Sequence, residues 1–145
     1  MTETEDPKRA PASGRILRAG AIYFALVFGV GLALGPPRVL WLEPWLGKTI
    51  AVLLEAPLLI AAMWFGARWA TNWARVDGGW VSYLLVGLLA LLLQQIADLA
   101  VGFGFRGMTL AEQAAYFATP AGFVYLATLI AFALMPFIRM PRVER

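Results

Sequence analysis

Four long apolar stretches dominate this chain and restrict its fold more than any other feature. They run approximately over 16–35, 46–69, 80–104 and 120–138. A helix needs about 20 mostly apolar residues to cross a bilayer, and each stretch is close to that length. Hydrophobic residues make up 61% of the chain and charged residues 14%, whereas soluble domains average about 45–50% and about 25%. The sequence therefore predicts an all-α, integral membrane four-helix bundle.

The chain contains no cysteine and no histidine, which excludes several kinds of functional site. Disulfides, thiolate clusters, histidine-ligated metal centres and a Ser-His-Asp relay all need these residues. No other set of residues forms a recognisable catalytic constellation. The sequence therefore predicts a protein that is not an enzyme and that holds no metal and no cofactor.

The basic residues indicate how the bundle is oriented. Nine of the twelve fall on one side of the predicted spans: Lys8, Arg9, Arg15, Arg18, Arg68, Arg75, Arg139, Arg142 and Arg145. Arg38, Lys48 and Arg106 fall on the other side. Because basic loops stay in the cytoplasm, we predict a multi-pass protein of a bacterial inner membrane with both termini cytoplasmic. The net charge of +3 then reflects orientation, and no nucleic-acid partner is expected.

Polar segments and helix signals divide the chain. Residues 1–14 are predicted to be a disordered cytoplasmic tail, 15–140 the transmembrane domain and 141–145 a basic C-terminal tail. The run Gly35-Pro36-Pro37 is predicted to end the first helix, because proline is unfavourable inside one. Thr109 and Glu112 have capping-box spacing, which predicts a short helix from Leu110 to Ala118, lying at the membrane interface before the fourth span.

Glu55 and Asp98 are the candidate functional residues, since charged side chains within a membrane are costly and mark functional sites. At about 1.5 Å of rise per residue, both lie at similar depth below one membrane surface. Helices two and three are expected to be antiparallel neighbours, so that the two carboxyl groups converge. Gln94 and Gln95 lie one turn deeper than Asp98.

Two further features join this candidate ligand- or ion-binding site. Arg38 and Arg106 are the nearest basic residues in depth and are candidate partners for the acids. Pro57 leaves the carbonyl of Leu53 without a helical donor and favours a kink, so it is a candidate hinge. The polar residues could lock the helices together, form a proton or cation path or a polar-ligand pocket, or contact another subunit. The fourth span has only Thr128 as an interior polar group, and it is expected to face lipid or a partner.

The residues Gly35-Pro36-Pro37-Arg38-Val39-Leu40-Trp41, followed by Leu54-Glu55-Ala56-Pro57, carry a resemblance. They resemble small four-span inner-membrane proteins of proteobacteria, and the similarity covers most of the first two spans. That group has no assigned activity. The resemblance therefore implies location and span number, and it adds no site residue.

Three functions are compatible with these observations. The first is a non-catalytic subunit or interaction protein, with the bilayer and either a second copy or a membrane complex as partners. The alternative is a small proton- or cation-coupled transporter or channel that uses Glu55 and Asp98. A third is an enzyme acting on lipid-linked substrates with the same two residues as an acid and base pair, although the chain offers no nucleophile.

Overall fold

Helices contain almost all of the residues that the computed structural model describes, namely 12–77, 79–104 and 107–141. In order along the chain they are α1 (Ala12–Pro37), a π-helical turn (Arg38–Leu42), α2 (Glu43–Leu46), α3 (Lys48–Trp73), α4 (Trp80–Gly104), α5 (Leu110–Tyr116) and α6 (Pro120–Ile138). Four helical segments are long and apolar enough to cross a membrane. The predicted all-α fold with four long apolar helices is confirmed for the described residues, and it is compatible with a membrane helical bundle.

The first helix is longer than predicted at both ends. Residues 12–14 belong to α1 and not to a tail, while residues 1–11 and 142–145 lie outside the described part. The expected stop at Pro36 and Pro37 is wrong, because the helix continues to Leu46. Proline has a helical φ, and a π-helical turn follows Pro37, in which the Glu43 N–H donates five residues back, to the carbonyl of Arg38.

The chain reverses at Gly47, where φ is +84°. A positive φ is readily adopted only by glycine, so this residue makes the tight connection between α2 and α3 possible. We call this side of the molecule the Gly47 end. The opposite side, where α3 connects to α4 next to Asp77, is the Asp77 end. Gly78, in the connection between α3 and α4, lies outside the described residues.

The four long helices form a square in which α1 and α6 each pack against both α3 and α4. Helices α3 and α4 therefore lie on one diagonal, and the expectation that they are neighbours is wrong. A short connection favours adjacent helices, but here extensive packing of α1 against both helices separates them. This arrangement decides which helices the candidate polar residues can join.

A single tyrosine crosses the centre of the bundle. Tyr23 of α1 is fully buried, stacks on Phe132 of α6 with ring centroids 4.6 Å apart, and donates a 2.7 Å hydrogen bond to the Phe132 carbonyl. Met63 of α3 and Ala90 of α4 belong to the same buried cluster. The core thus contains residues of all four long helices, and the tyrosine hydroxyl is satisfied inside it.

Helix α6 is the most buried of the four, although large side chains on its outer face, such as Ile130, are exposed. The expectation that it faces lipid or a partner stays a prediction. It approaches α4 so closely that a Cβ on Gly87 would lie 1.8 Å from the carbonyl oxygen of Ala133. Its first turn is equally close to the end of α5, since a Cβ on Gly122 would lie 1.9 Å from the Tyr116 carbonyl oxygen. Small residues allow such contacts between membrane helices.

The outer surface of the bundle is apolar. Large side chains such as Leu32, Phe65, Leu92 and Ile130 are more than half exposed. All six tryptophans are exposed as well: Trp41, Trp45, Trp64, Trp69, Trp73 and Trp80. A soluble protein would not expose an apolar surface of this extent, whereas lipid tails would solvate it.

Local polar contacts are present at both ends of the bundle. At the Asp77 end, Arg15 forms a 2.8 Å ion pair with Asp77 and a 3.2 Å hydrogen bond to the carbonyl of Arg75. At the Gly47 end, the predicted capping box is present: Thr109 and Glu112 exchange two 3.2 Å hydrogen bonds at the start of α5. The helix that follows ends at Tyr116, two residues earlier than expected.

Candidate functional site

Arg38 and Glu55 meet at the Gly47 end of the bundle. The Arg38 Nε lies 2.5 Å from Oε2 of Glu55, and Nη1 of the same arginine lies 2.8 Å from Oε1 of Glu43. The side chains of Arg38 and Glu55 are 13% and 11% exposed, and that of Glu43 is 20% exposed. One guanidinium therefore serves two sheltered carboxylates.

The position of this group follows from the local chain geometry. Arg38 precedes Gly47 by nine residues and Glu55 follows it by eight, so the helical hairpin places them at matching heights. In an α-helix, positions five apart point about 140° away from each other. In a π-helical turn, residues five apart share a face. The π turn thus places Arg38 and Glu43 on one side, towards α3.

Asp98 occupies a second polar group, on α4. Its Oδ1 accepts a 2.8 Å hydrogen bond from Nε2 of Gln94, one turn earlier in the same helix. Its Oδ2 accepts a hydrogen bond from the hydroxyl of Tyr125 on α6. Sequence reasoning missed Tyr125, although a tyrosine within an apolar helix is a recognisable signal, because its hydroxyl needs a partner when buried.

Two glutamine amides lie near this second group. The Nε2 atoms of Gln95 and Gln113 are buried and donate no hydrogen bond to any described residue. Gln113 of α5 packs on Gly102 of α4. A Cβ added to Gly102 would lie 2.5 Å from the side-chain amide carbon of Gln113. Gln95 lines an apolar groove of about 360 Å³ between α4 and α6. Sequence reasoning grouped Gln95 with Asp98 but missed Gln113, which packs on Gly102 across the connection between α4 and α5.

Aromatic residues at the end of α5 cover the Tyr125 side of this group. The rings of Tyr116 and Phe117 lie 6.3 Å and 6.0 Å from the Tyr125 ring, centroid to centroid. The ammonium of Lys48 lies 5.4 Å from the centroid of the Tyr116 ring. Helix α5 is thereby held against both α6 and the start of α3.

The remaining predicted site residues have different outcomes. Arg106 lies outside the described residues. Pro57 lies inside α3, which runs unbroken from Lys48 to Trp73, and its hinge role stays a prediction. Convergence of the carboxyl groups of Glu55 and Asp98 stays a prediction, although its premise that α3 and α4 are neighbours is wrong.

Each acid joins one pair of adjacent helices. Glu55 of α3 is paired with an arginine at the end of α1, and Asp98 of α4 is bonded to a tyrosine of α6. Interhelical polar contacts of this kind stabilise membrane bundles by about 0.6 kcal/mol on average, and up to about 1.7. Both acids have protein partners, and this arrangement suits helix locking.

Fold and site together define an all-helical chain with four apolar helices that are consistent with a multi-pass membrane protein. Comparison of the chain with protein-family profiles, curated proteins and solved structures found no match. Function has to be inferred from the chain's own surfaces.

Proposed function

We propose that this protein is a non-catalytic interaction protein or small subunit of a bacterial inner membrane, with both termini cytoplasmic. The polar residues within the bundle hold its four helices together. Its partner is another membrane helix, which docks on the outer face of α1. The simplest such partner is α1 of a second copy of this chain, because a homodimer requires no other protein.

The observation that supports this proposal is an exposed ridge of small residues on α1. Ala21, Ala25, Gly29 and Ala33 recur every four residues, and all four are exposed. A Cβ on Gly29 would have no atom within 4 Å. Other small residues at this spacing, such as Gly66 and Gly87, are buried by neighbouring helices. Ridges of this kind let a second helix approach closely, and here no described part of the chain covers the ridge.

A larger side chain at Gly29 tests the ridge, because the bundle itself leaves this position uncovered. Gly29→Leu is expected to weaken association in lipid vesicles about tenfold or more, because the backbones can no longer approach. Dilution of fluorescently labelled protein into excess lipid, read by energy transfer, measures this. Unfolding of each variant is followed in parallel.

Ala61→Leu on α3 is the matched control. A Cβ on Gly31 would lie 3.9 Å from Leu59 of α3, so in this antiparallel pair Ala61 is at about the depth of Gly29. Ala61 is also exposed. Its substitution should leave association unchanged. Equal loss in both variants would contradict the ridge, and so would a wild-type protein that stays monomeric at every protein-to-lipid ratio.

A proton- or cation-coupled transporter is the second candidate, and the observation that favours it is the presence of two acids within membrane-spanning helices. That function predicts a pH-dependent flux in reconstituted vesicles, lost when Glu55→Gln and Asp98→Asn are combined. The interaction function predicts no flux above that of protein-free vesicles. A flux that the double variant abolishes would replace our proposal with this one.

A further inference from the structure

We infer that the groove between α1 and α3 binds one anionic phospholipid, with its phosphate at Arg68 and Arg139 and an acyl chain along the groove. The groove has a volume of about 520 Å³ and runs toward the Asp77 end of the bundle. It lies beside the α1 ridge and does not include any ridge residue. The inference therefore stands independently of the proposed association.

The groove changes from apolar to basic along its length. Its inner part is lined by Leu26 and Val30 of α1 and by Ala62 and Phe65 of α3. Ala62 and Asn72, which mark its two ends on α3, are ten residues apart. At about 1.5 Å per residue this is about 15 Å, or half of the roughly 30 Å hydrocarbon core. The groove thus spans one leaflet, the length of one acyl chain.

The mouth of the groove carries Arg68, Trp69, Asn72 and Arg139. Arginine, asparagine and tryptophan are suited to the headgroup level of a bilayer, where a phosphate can accept hydrogen bonds and an indole is half solvated. Under the positive-inside orientation the mouth opens to the cytoplasmic leaflet, whose anionic lipids bind basic pockets between helices.

Both arginines are held in place by backbone contacts. Arg139 stacks over the ring of Trp64, with its guanidinium carbon 4.0 Å from the ring centroid, and its Nε donates to the Trp64 carbonyl at 3.2 Å. Arg68 donates from Nη1 to the carbonyl of Arg139 at 3.1 Å. A guanidinium has five N–H donors, so most donors of each side chain remain for a ligand.

Charge distinguishes these two arginines from others in the bundle. Arg15 and Arg38 are each paired with a carboxylate. Within residues 12–77, 79–104 and 107–141, no ion pair to a carboxylate involves Arg68 or Arg139. Two adjacent cations that form no ion pair with a described carboxylate attract an anion, and arginine binds phosphate oxygens through paired hydrogen bonds.

The test compares phosphatidylglycerol with phosphatidylcholine on the full chain in mild detergent, using native mass spectrometry to count bound lipids at increasing concentration. Wild-type protein is expected to retain one phosphatidylglycerol more tightly than phosphatidylcholine. The double variant Arg68→Gln, Arg139→Gln should bind phosphatidylglycerol about 10- to 30-fold more weakly, as expected for two basic groups at a membrane surface. Inorganic phosphate should not compete at millimolar concentration, because it lacks the acyl chain.

The control removes two charges from the same end of the molecule but outside the groove. Arg18 and Arg75 are both exposed, and Arg18→Gln, Arg75→Gln should leave phosphatidylglycerol binding within about twofold of wild type, since screened surface charges act weakly over distance. Equal losses in both double variants would show only general surface attraction and overturn the site. Unchanged binding in the Arg68 and Arg139 variant would also overturn it.

A third variant tests the groove itself. Ala62→Phe fills the apolar part without changing charge, at a half-buried position of the groove lining. It should reduce phosphatidylglycerol binding while leaving the lipid-free unfolding temperature close to that of wild type. If this variant folds and binds phosphatidylglycerol as wild type does, the acyl chain does not lie in the groove and the inference fails. If it does not fold, the two charge variants decide.

Discussion

Gly87→Ala is expected to lower the free energy of unfolding by about 3 kcal/mol or more, at the upper end of what overpacking costs. The added Cβ would lie 1.8 Å from the carbonyl oxygen of Ala133 and 2.8 Å from its carbonyl carbon. Neither atom belongs to a side chain that could rotate away. The change would force α4 and α6 apart over the most buried helix of the bundle.

Gly29→Ala is the control for this substitution. It too replaces a glycine in the middle of a long helix, but its Cβ would meet nothing within 4 Å. Alanine is the better helix former by about 1 kcal/mol, so this variant should be as stable as wild type or slightly more so. Unfolding in mixed micelles, followed by circular dichroism, measures both. Equal stability of Gly87→Ala and Gly29→Ala would show that α4 and α6 do not approach as described.

Arg38→Gln is expected to be the most damaging change in the polar site, with a loss of about 3–5 kcal/mol, as found when a buried pair loses one partner. It leaves the carboxylates of Glu43 and Glu55 close together and without their shared cation. Glu55→Gln should cost less, because Arg38 keeps its 2.8 Å contact with Glu43. The order of the two effects, measured as free energies of unfolding, tests the shared guanidinium.

A double variant separates the ion pair from general packing damage. Arg38→Met combined with Glu55→Met should be more stable than Arg38→Gln, because well-packed apolar side chains can replace a buried pair at little cost. Glu43→Gln should have the smallest effect, since its side chain is the most exposed of the three. An Arg38→Gln variant that unfolds like wild type would contradict this account of the site.

The spans were predictable because lipid imposes a simple requirement. A helix in hydrocarbon must be long and apolar, and both properties can be read directly from the residues around Leu32, Phe65, Leu92 and Ile130. The capping box at Thr109 and Glu112 was predictable too, because it depends on two residues three positions apart.

Helix neighbours and polar partners were harder to predict. Burial of α6 depends on Ala133 lying against Gly87, a contact between positions 46 residues apart that no local pattern encodes. The helical chain continues past Pro37 through a π turn, in which Arg38 contacts both Glu43 and Glu55. Arg38 was recognised as a candidate partner for the acids because depth can be counted along a helix. Tyr125 was missed because rotation about the helix axis could not be assigned.

Cross-linking along α1 tests the proposed interaction surface most directly, since the native chain has no cysteine. Single cysteines are placed at Ala25 and Gly29 on the ridge and at Ala61 on α3, and bacterial membranes are treated with a short bifunctional thiol reagent. The account predicts a discrete cross-linked dimer, or one discrete heteromeric adduct, for the two ridge positions and none for Ala61. Cross-links from Ala61 alone, or equal yields from all three positions, would contradict it.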